Sequence, residues 1–337
     1  MFKNIILHRV GNKVNQESLH LSHERLDVPE ALQEPLEHFF LDSFKSEEQF
    51  QFRSDGLLEG NFIYSAVKAI FDSPEDFVQK SQEIANHLYE ISNNPRIQGG
   101  ELIVIYMPKS EEAGQAYDSL GIFKLENHQS FLKVKHDDLG AEIEKDFGFS
   151  LQKLDKGCLI YNTYPEEGYV LSVFDNHKKS GDTYWFDDFL QLEKRSDEYF
   201  HTQETLSLYK DFIVKQLPEE FEVEKVDQAE FLKKSIDYFN ENEEFNYDNF
   251  TKNVICNDDV IESFNQYKSD YESQMQVSIA EEFPISKGAV KKNARYFKSV
   301  IKLDKNFHIY IHGDRKMIET GSDEKGKFYR LYFEEEK

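Results

Sequence analysis

The sequence lacks most of the residues that mark catalytic and cofactor-binding proteins. Only two of its 337 residues are cysteine. Cys158 and Cys256 lie far apart, with no CxxC and no histidine close by in sequence. This excludes a disulfide framework and a thiolate metal knuckle. It fits a reducing compartment in which both thiols are buried structural groups. Neither GxxxxGK[ST] nor GxGxxG occurs, so nothing supports a glycine loop that cradles phosphates. Long apolar runs are also missing. The N-terminal run Ile5-Ile6-Leu7 is too short for a signal-peptide core, and no stretch approaches the ~20 residues of a membrane span. The chain therefore reads as soluble and cytoplasmic.

Positive charge is scarce as well. Forty Lys and Arg face 64 Asp and Glu, a net charge of −24. A surface of that sign repels phosphate. Any contact with nucleic acid has to be local, unless the acidic surface itself faces a basic partner.

Aromatic residues are plentiful, with 29 Phe and 18 Tyr, which points to a phenylalanine-rich core. The length favours two domains and suffices for a core without staples. FKNIILHRV reads as a strand, with a partner beginning at Leu19 and Leu21 after the turn at Gly11-Asn12. A short helix is expected around Glu30–Phe40. Phe62, Ile63, Ala66, Val67, Ile70 and Phe71 share one helical face, and Ser73-Pro74 starts another helix with Ser73 as its cap. After Gly99-Gly100 come strand patterns: ELIVIYM, GIFKLE, SFLKVKHDD, FSLQKL, GCLIYNTY, YVLSVFD and TYWFDDFLQL. Closely spaced strands without intervening helices indicate an antiparallel sheet.

Near Ser196 the period returns to that of helices. Tyr199 to Leu217 marks a long one ended by Pro218. Asp227 and Glu230 suggest a capping box. Phe250, Val254 and Ile255 indicate a short helix, and Asn257 caps another. The acidic stretch NENEEFNYDN reads as an exposed joint. Strands at 296–303, 307–312 and 326–333 form a three-stranded meander. The fold class is α+β. Residues 1–195 form N-terminal helices packed on an antiparallel sheet, and 196–337 form a helical domain ending in a basic antiparallel meander.

One stretch breaks the charge pattern. KGAVKKNARYFKSVIKLDK, residues 287–305, holds seven of the 40 basic residues and one acid, Asp304. Ser286 can cap a helix over 287–295, with Lys287, Lys291 and Arg295 on one face and Lys292 beside them. A loop at Asp304-Lys305-Asn306 would pair Leu303 with Phe307 and Ile301 with Ile309, placing both apolar sets on one side. The other side then pairs Lys302 with His308, Val300 with Tyr310 and Lys298 with His312. Lysine and arginine so arranged can neutralise phosphates without reading bases. A lysine-rich solvated face that answers the protein's own carboxylates accounts for the same residues.

Other clusters carry little. His20 and His23 point to opposite faces of an extended segment and lack a third ligand. The pairs Asp137-Asp138 and Asp187-Asp188 could suggest a two-metal nuclease, but no lysine-bearing nuclease pattern surrounds them. No catalytic residue, metal or cofactor is expected, and the chain is read as a non-enzyme.

The order of blocks is more informative. FKNIILHRV, then GGELIVIYM, then SFLKVKHDD…FSLQKLDKGCLIYN, YWFDDFLQL and finally YFKSVIKLDKNFHIYIHGD resembles the bacterial nucleoid-associated protein family typified by NdpA (YejK). The similarity runs over nearly the full length. It implies a cytoplasmic protein of the bacterial nucleoid, linked to DNA and to type II topoisomerases, with no enzymatic activity. The expected DNA contacts are Lys287, Lys291, Lys292, Arg295, Lys298, Lys302 and Lys305. His308 and His312 would add charge below about pH 6.5, so DNA binding is expected to be tighter at pH 6 than at pH 8. The competing expectation is an acidic adaptor, a partial mimic of DNA charge, that docks on a DNA-handling enzyme such as a type II topoisomerase.

Overall fold

The computed structural model describes residues 4–109, 116–137, 140–176, 183–275, 277–297, 300–303, 305, 307–310 and 315–335. The chain divides into two compact units, Met1–Arg195 and Ser196–Lys337.

The first unit is built on an antiparallel sheet. Its elements in chain order are β1 (Asn4–Val10), β2 (Leu19–His20), α1 (Glu30–Leu41), β3 (Phe50–Phe52), α2 (Phe62–Asp72), α3 (Phe77–Ile91), β4 (Gly100–Met107), β5 (Ser119–Leu125), β6 (Gln129–Asp137), β7 (Gly140–Gly148), β8 (Lys156–Tyr161), β9 (Val170–Asp175) and β10 (Leu192–Lys194). The sheet order is β10-β3-β9-β8-β5-β4-β1-β2. β4 and β5 carry continuous apolar runs because both faces of the sheet are covered. Leu102, Val104, Ile122 and Ile160 pack with Ile63, Val67, Ile70, Ile84 and Leu88 of α2 and α3. Ile103, Ile105, Phe123 and Leu159 pack on the other side with Phe39 and Phe40 of α1. The period of two along each strand thus divides its residues between two cores. Gly168, with φ +94°, lets β9 approach β3, since a Cβ there would lie 2.4 Å from the Phe52 carbonyl oxygen.

Several expectations for this unit need correction. SFLKVKHDD contains a strand, β6, but it leaves the sheet and, among the described residues, pairs only with β7, forming a separate ribbon. FSLQKL is not a strand. The ribbon's return strand lies just before it, in GAEIEKDFG. TYWFDDFLQL contains a π-helical turn at Trp185–Leu190 followed by the short β10. Trp185, Phe186, Phe189 and Leu190 are buried while Asp187 and Asp188 are exposed. That spacing fits one helical face and cannot alternate across a sheet. Ser73 makes no side-chain cap; Pro74 begins a 3₁₀ turn instead.

The second unit continues with α4 (Glu198–Asp211), α5 (Leu217–Glu220), α6 (Lys225–Glu241), β11 (Glu244–Asn246), α7 (Tyr247–Phe250), α8 (Asp258–Met275), β12 (Glu282–Pro284), α9 (Lys287–Asn293), β13 (Val300–Lys302), β14 (His308–Tyr310), β15 (Ile318–Asp323) and β16 (Gly326–Leu331). Phenylalanines 212, 239, 245, 250, 264, 283 and 297 make its core, with Tyr209 and Leu206.

Pro218 does not end the long helix. A π turn at Phe212–Gln216 links α4 to α5, and the proline sits in the first turn of α5, where no N–H is required. The capping box at α6 is displaced by three residues. Glu224 is the N-cap and Asp227 is its N3 partner, accepting from the Glu224 amide at 3.0 Å. NENEEFNYDN is more than an exposed joint. It contains β11, which pairs with β12, and Phe245 is 1% exposed. Cys256 is exposed at a φ of 60°, where the π turn Thr251–Ile255 ends; only Cys158 is buried. Among the described residues the expected three-stranded meander is two separate hairpins, β13–β14 and β15–β16. Strand β15 was hidden because IETGSD lacks apolar alternation.

Candidate nucleic-acid interface

The basic segment starts where the sequence suggests. The Ser286 side chain accepts from the Ala289 amide at 3.2 Å and opens α9. Ala289 and Val290 turn inward, while Lys291 and Lys292 are exposed. A 3₁₀ turn, Ala294–Tyr296, follows and presents Arg295.

Lys287 does different work from its neighbours. Its ammonium donates to the carbonyls of Phe239, Asn240 and Asn242 at 3.1, 3.0 and 2.6 Å. These carbonyls end α6. A cation there satisfies acceptors that lack helical partners and meets the negative end of the helix dipole.

Two of the other cations, Lys292 and Arg295, lie against aromatic rings. The Arg295 guanidinium lies 4.6 Å from the Tyr296 ring centre and donates to the Tyr296 hydroxyl at 2.6 Å. Lys210, on α4, approaches the same ring at 5.2 Å, and Lys292 lies 5.3 Å from the ring of Tyr199. Lys210 therefore joins the basic surface. It was not visible in the sequence because it stands in an acidic stretch beside Asp211, its ion-pair partner at 3.9 Å.

The β13–β14 hairpin has the anticipated register: Val300 with Tyr310, Ile301 with Ile309 and Lys302 with His308. The Leu303 amide donates to the Phe307 carbonyl at 3.1 Å. Ile301, buried with Val226 and Ile318, anchors it, and Ile309 packs against this cluster. Lys305 and His308 are exposed, as are Phe307 and Tyr310. Lys298 and His312 lie outside the described residues, and Lys302 is placed by its backbone alone.

The unit is electrically polarised along the chain. Residues 196–286 hold 22 acids and seven bases, whereas 287–330 hold five acids and twelve bases. On α8 the exposed Asp259, Glu262, Gln266 and Asp270 form a row. Glu262, Gln266 and Asp270 of this row line a groove of about 670 Å³ whose other wall includes Gln216 and Glu220. Hydrogen bonds from Ser263 and Gln216 hold the Glu220 carboxyl below its usual range.

The first unit holds charges of another kind. Lys156 pairs with Asp175 at 2.9 Å and Lys124 with Glu126 at 3.0 Å, all with side chains at most 4% exposed. The Tyr184 hydroxyl accepts from Lys124 at 2.8 Å and donates to Glu126 at 2.7 Å. Asp155 accepts from the amides of Glu126 and Asn127. These hydrogen bonds tie Tyr184, ahead of the π turn, to β5. No local pattern in the sequence marks these two lysines as buried.

Among the described residues no group of three His, Cys, Asp or Glu could hold a metal ion. His20 bonds Ser18 and His23 bonds Gln82. Asp187 and Asp188 are exposed on the π turn, and Asp138 lies outside the described residues. No described helix is long and apolar enough to cross a membrane.

No curated protein matches the chain. A family model described as nucleoid-associated protein YejK matches residues 6–325, from the first strand of the sheet to the turn of the last hairpin. The chain belongs to that family of nucleoid-associated proteins.

Proposed function

We propose that this is a nucleoid-associated binding protein that contacts the DNA backbone through the basic surface of its second unit. The observation that carries the reading is the concentration of cations on α9 and its 3₁₀ extension within a protein of net charge −24. Lys291, Lys292 and Arg295 are the central contacts, with Lys210 beside them and Lys305 and His308 on the hairpin. None of these elements offers a base-reading arrangement, so binding is sequence-independent. Lys287 belongs to the fold more than to the contact, because its ammonium caps α6. The protein acts by binding, in the cytoplasm at the nucleoid, without catalysing a reaction.

The test is fluorescence anisotropy with a short duplex DNA across a salt series. Wild type is compared with Lys291→Glu/Lys292→Glu/Arg295→Glu. Wild type should bind with a log–log salt slope of several units, and losing three phosphate contacts should reduce that slope by about 2–3. Absence of binding at low salt would remove direct DNA contact from the model.

A second reading rests on the acid-lined groove beside α8. Glu220, Glu262 and Asp270 could receive a basic segment of a DNA-handling enzyme such as a type II topoisomerase. It predicts salt-sensitive protein binding that survives the triple α9 substitution and is lost on Glu262→Lys/Asp270→Lys.

A further inference from the structure

The β6–β7 ribbon is used by neither reading. Among the described residues it pairs only with itself, over nine residues on each strand. Two strands alone are marginal in water, so such a ribbon gains stability by covering a face. Its register sorts the side chains. Ser130 pairs with Phe147, Leu132 with Lys145, Val134 with Ile143 and His136 with Ala141. Those residues share one side. The other side pairs Phe131 with Asp146, Lys133 with Glu144 and Lys135 with Glu142, and a diagonal ion pair joins Lys135 to Glu144 at 2.8 Å.

One side is therefore largely charged and neutralised within the ribbon, Phe131 apart, and the other is mainly apolar and open, with Lys145 as its one lysine, its ammonium 4.9 Å from the Phe147 ring centre. Leu132, Ile143, Phe147 and Val134 are 69, 68, 61 and 52% exposed. Nucleic acid is a poor occupant, since the ribbon has no positive excess: Lys133, Lys135 and Lys145 stand against Asp137, Glu142, Glu144 and Asp146.

We propose that the apolar side of this ribbon is a homodimer contact, packed face to face against the same side of a second copy of this chain. A two-fold contact needs a self-complementary patch, and a nearly uncharged apolar face meets that requirement without any further partner. Nine residues span about 30 Å. Two such faces bury on the order of 1,000 Å² in total, the lower end of specific interfaces. The Lys133, Lys135, Glu142 and Glu144 side keeps its water in this arrangement, so little charge is desolvated. The dimer is thus modest and reversible. With −24 on each copy it tightens as salt screens the repulsion, opposite in sign to DNA binding.

Sedimentation velocity on the full chain, at tens of micromolar and at low and high salt, tests this. Wild type should dimerise, more so at high salt. Leu132→Lys/Ile143→Lys should weaken the dimer by roughly a hundredfold or more, although each copy becomes less negative. Lys133→Ser/Glu144→Ser, on the opposite side, should leave it intact. Both positions of the lysine pair are exposed, and circular dichroism melts confirm folding. Leu132→Thr/Ile143→Thr, which keeps strand propensity, serves if the lysines unfold the ribbon. A wild-type monomer at every salt overturns the proposal. So does a dimer that survives the apolar-side changes, or one equally weakened by the control pair.

Discussion

At the scale of single residues, the most informative groups are those a charged sequence conceals. Lys156 and Asp175 have fully buried side chains 2.9 Å apart. Removing one member of a buried pair leaves the other in a low dielectric without its counter-ion, a loss of about 3–5 kcal/mol. Lys156→Met should therefore lower the urea midpoint strongly, and Lys156→Met/Asp175→Leu should recover much of it. Equal losses in the single and double variants would show that the pair is not coupled. His8 offers a pH-dependent counterpart. It is fully buried, accepts from the Ser22 amide through Nδ1 and meets Ser81 Oγ through Nε2 at 3.1 Å. Burial, reinforced by His23, lowers its pKa to about 4. The unfolded imidazole takes up a proton below about 6.5 while the folded one does not. Stability is thus full above pH 6.5 and falls as the pH drops towards 4, by on the order of 2–3 kcal/mol from this group. The difference in melting temperature between wild type and His8→Gln should shrink between pH 7 and pH 4.5. A constant difference would mean that His8 charges freely in the folded state. Neither residue announced its role in the sequence, because burial of a lysine or histidine depends on strands distant in the chain.

Elements were legible where one period dominated. The register of β13–β14 followed from the loop at 304–306 and the match of Leu303 with Phe307 and Ile301 with Ile309, since a slip of one residue would put the apolar sets on opposite faces. Trp185–Leu190 was not legible as a turn, because its aromatic-rich composition reads as a strand and the burial of Trp185, Phe186, Phe189 and Leu190 together is known only from the fold. β15 escaped because Gly321 and Ser322 replace the expected apolar positions. In the candidate site, α9 and its cap were visible, but Lys287's attachment to α6 was not, for its partners are backbone carbonyls some 45 residues earlier in the chain. That attachment separates two functions within one basic run. Lys287→Ala should destabilise the second unit by about 1.5–3 kcal/mol, the range of hydrogen bonds to charged groups, and leave the salt slope of DNA binding close to that of wild type. A slope reduced by about one unit, as for any phosphate-binding lysine, would put Lys287 back on the contact surface.

For the whole molecule the governing quantity is the uneven distribution of charge. Residues 1–195 carry 34 acids and 20 bases, and residues 196–337 carry 30 acids and 20 bases, so more than half of the net negative charge lies in the unit without the basic island. If α9 and the β13–β14 hairpin supply the phosphate contacts, the first unit contributes only repulsion at long range. That repulsion reaches ~30 Å at 0.01 M salt but ~8 Å at physiological ionic strength. Residues 196–337 have their own phenylalanine core and can be tested as an isolated unit, with circular dichroism to confirm that it folds. This unit should bind duplex DNA more tightly than the full chain at low salt. The advantage should disappear near 0.15 M. Tighter binding by the full chain at both salts would show that the first unit also touches DNA, and the island would then be one part of a larger interface.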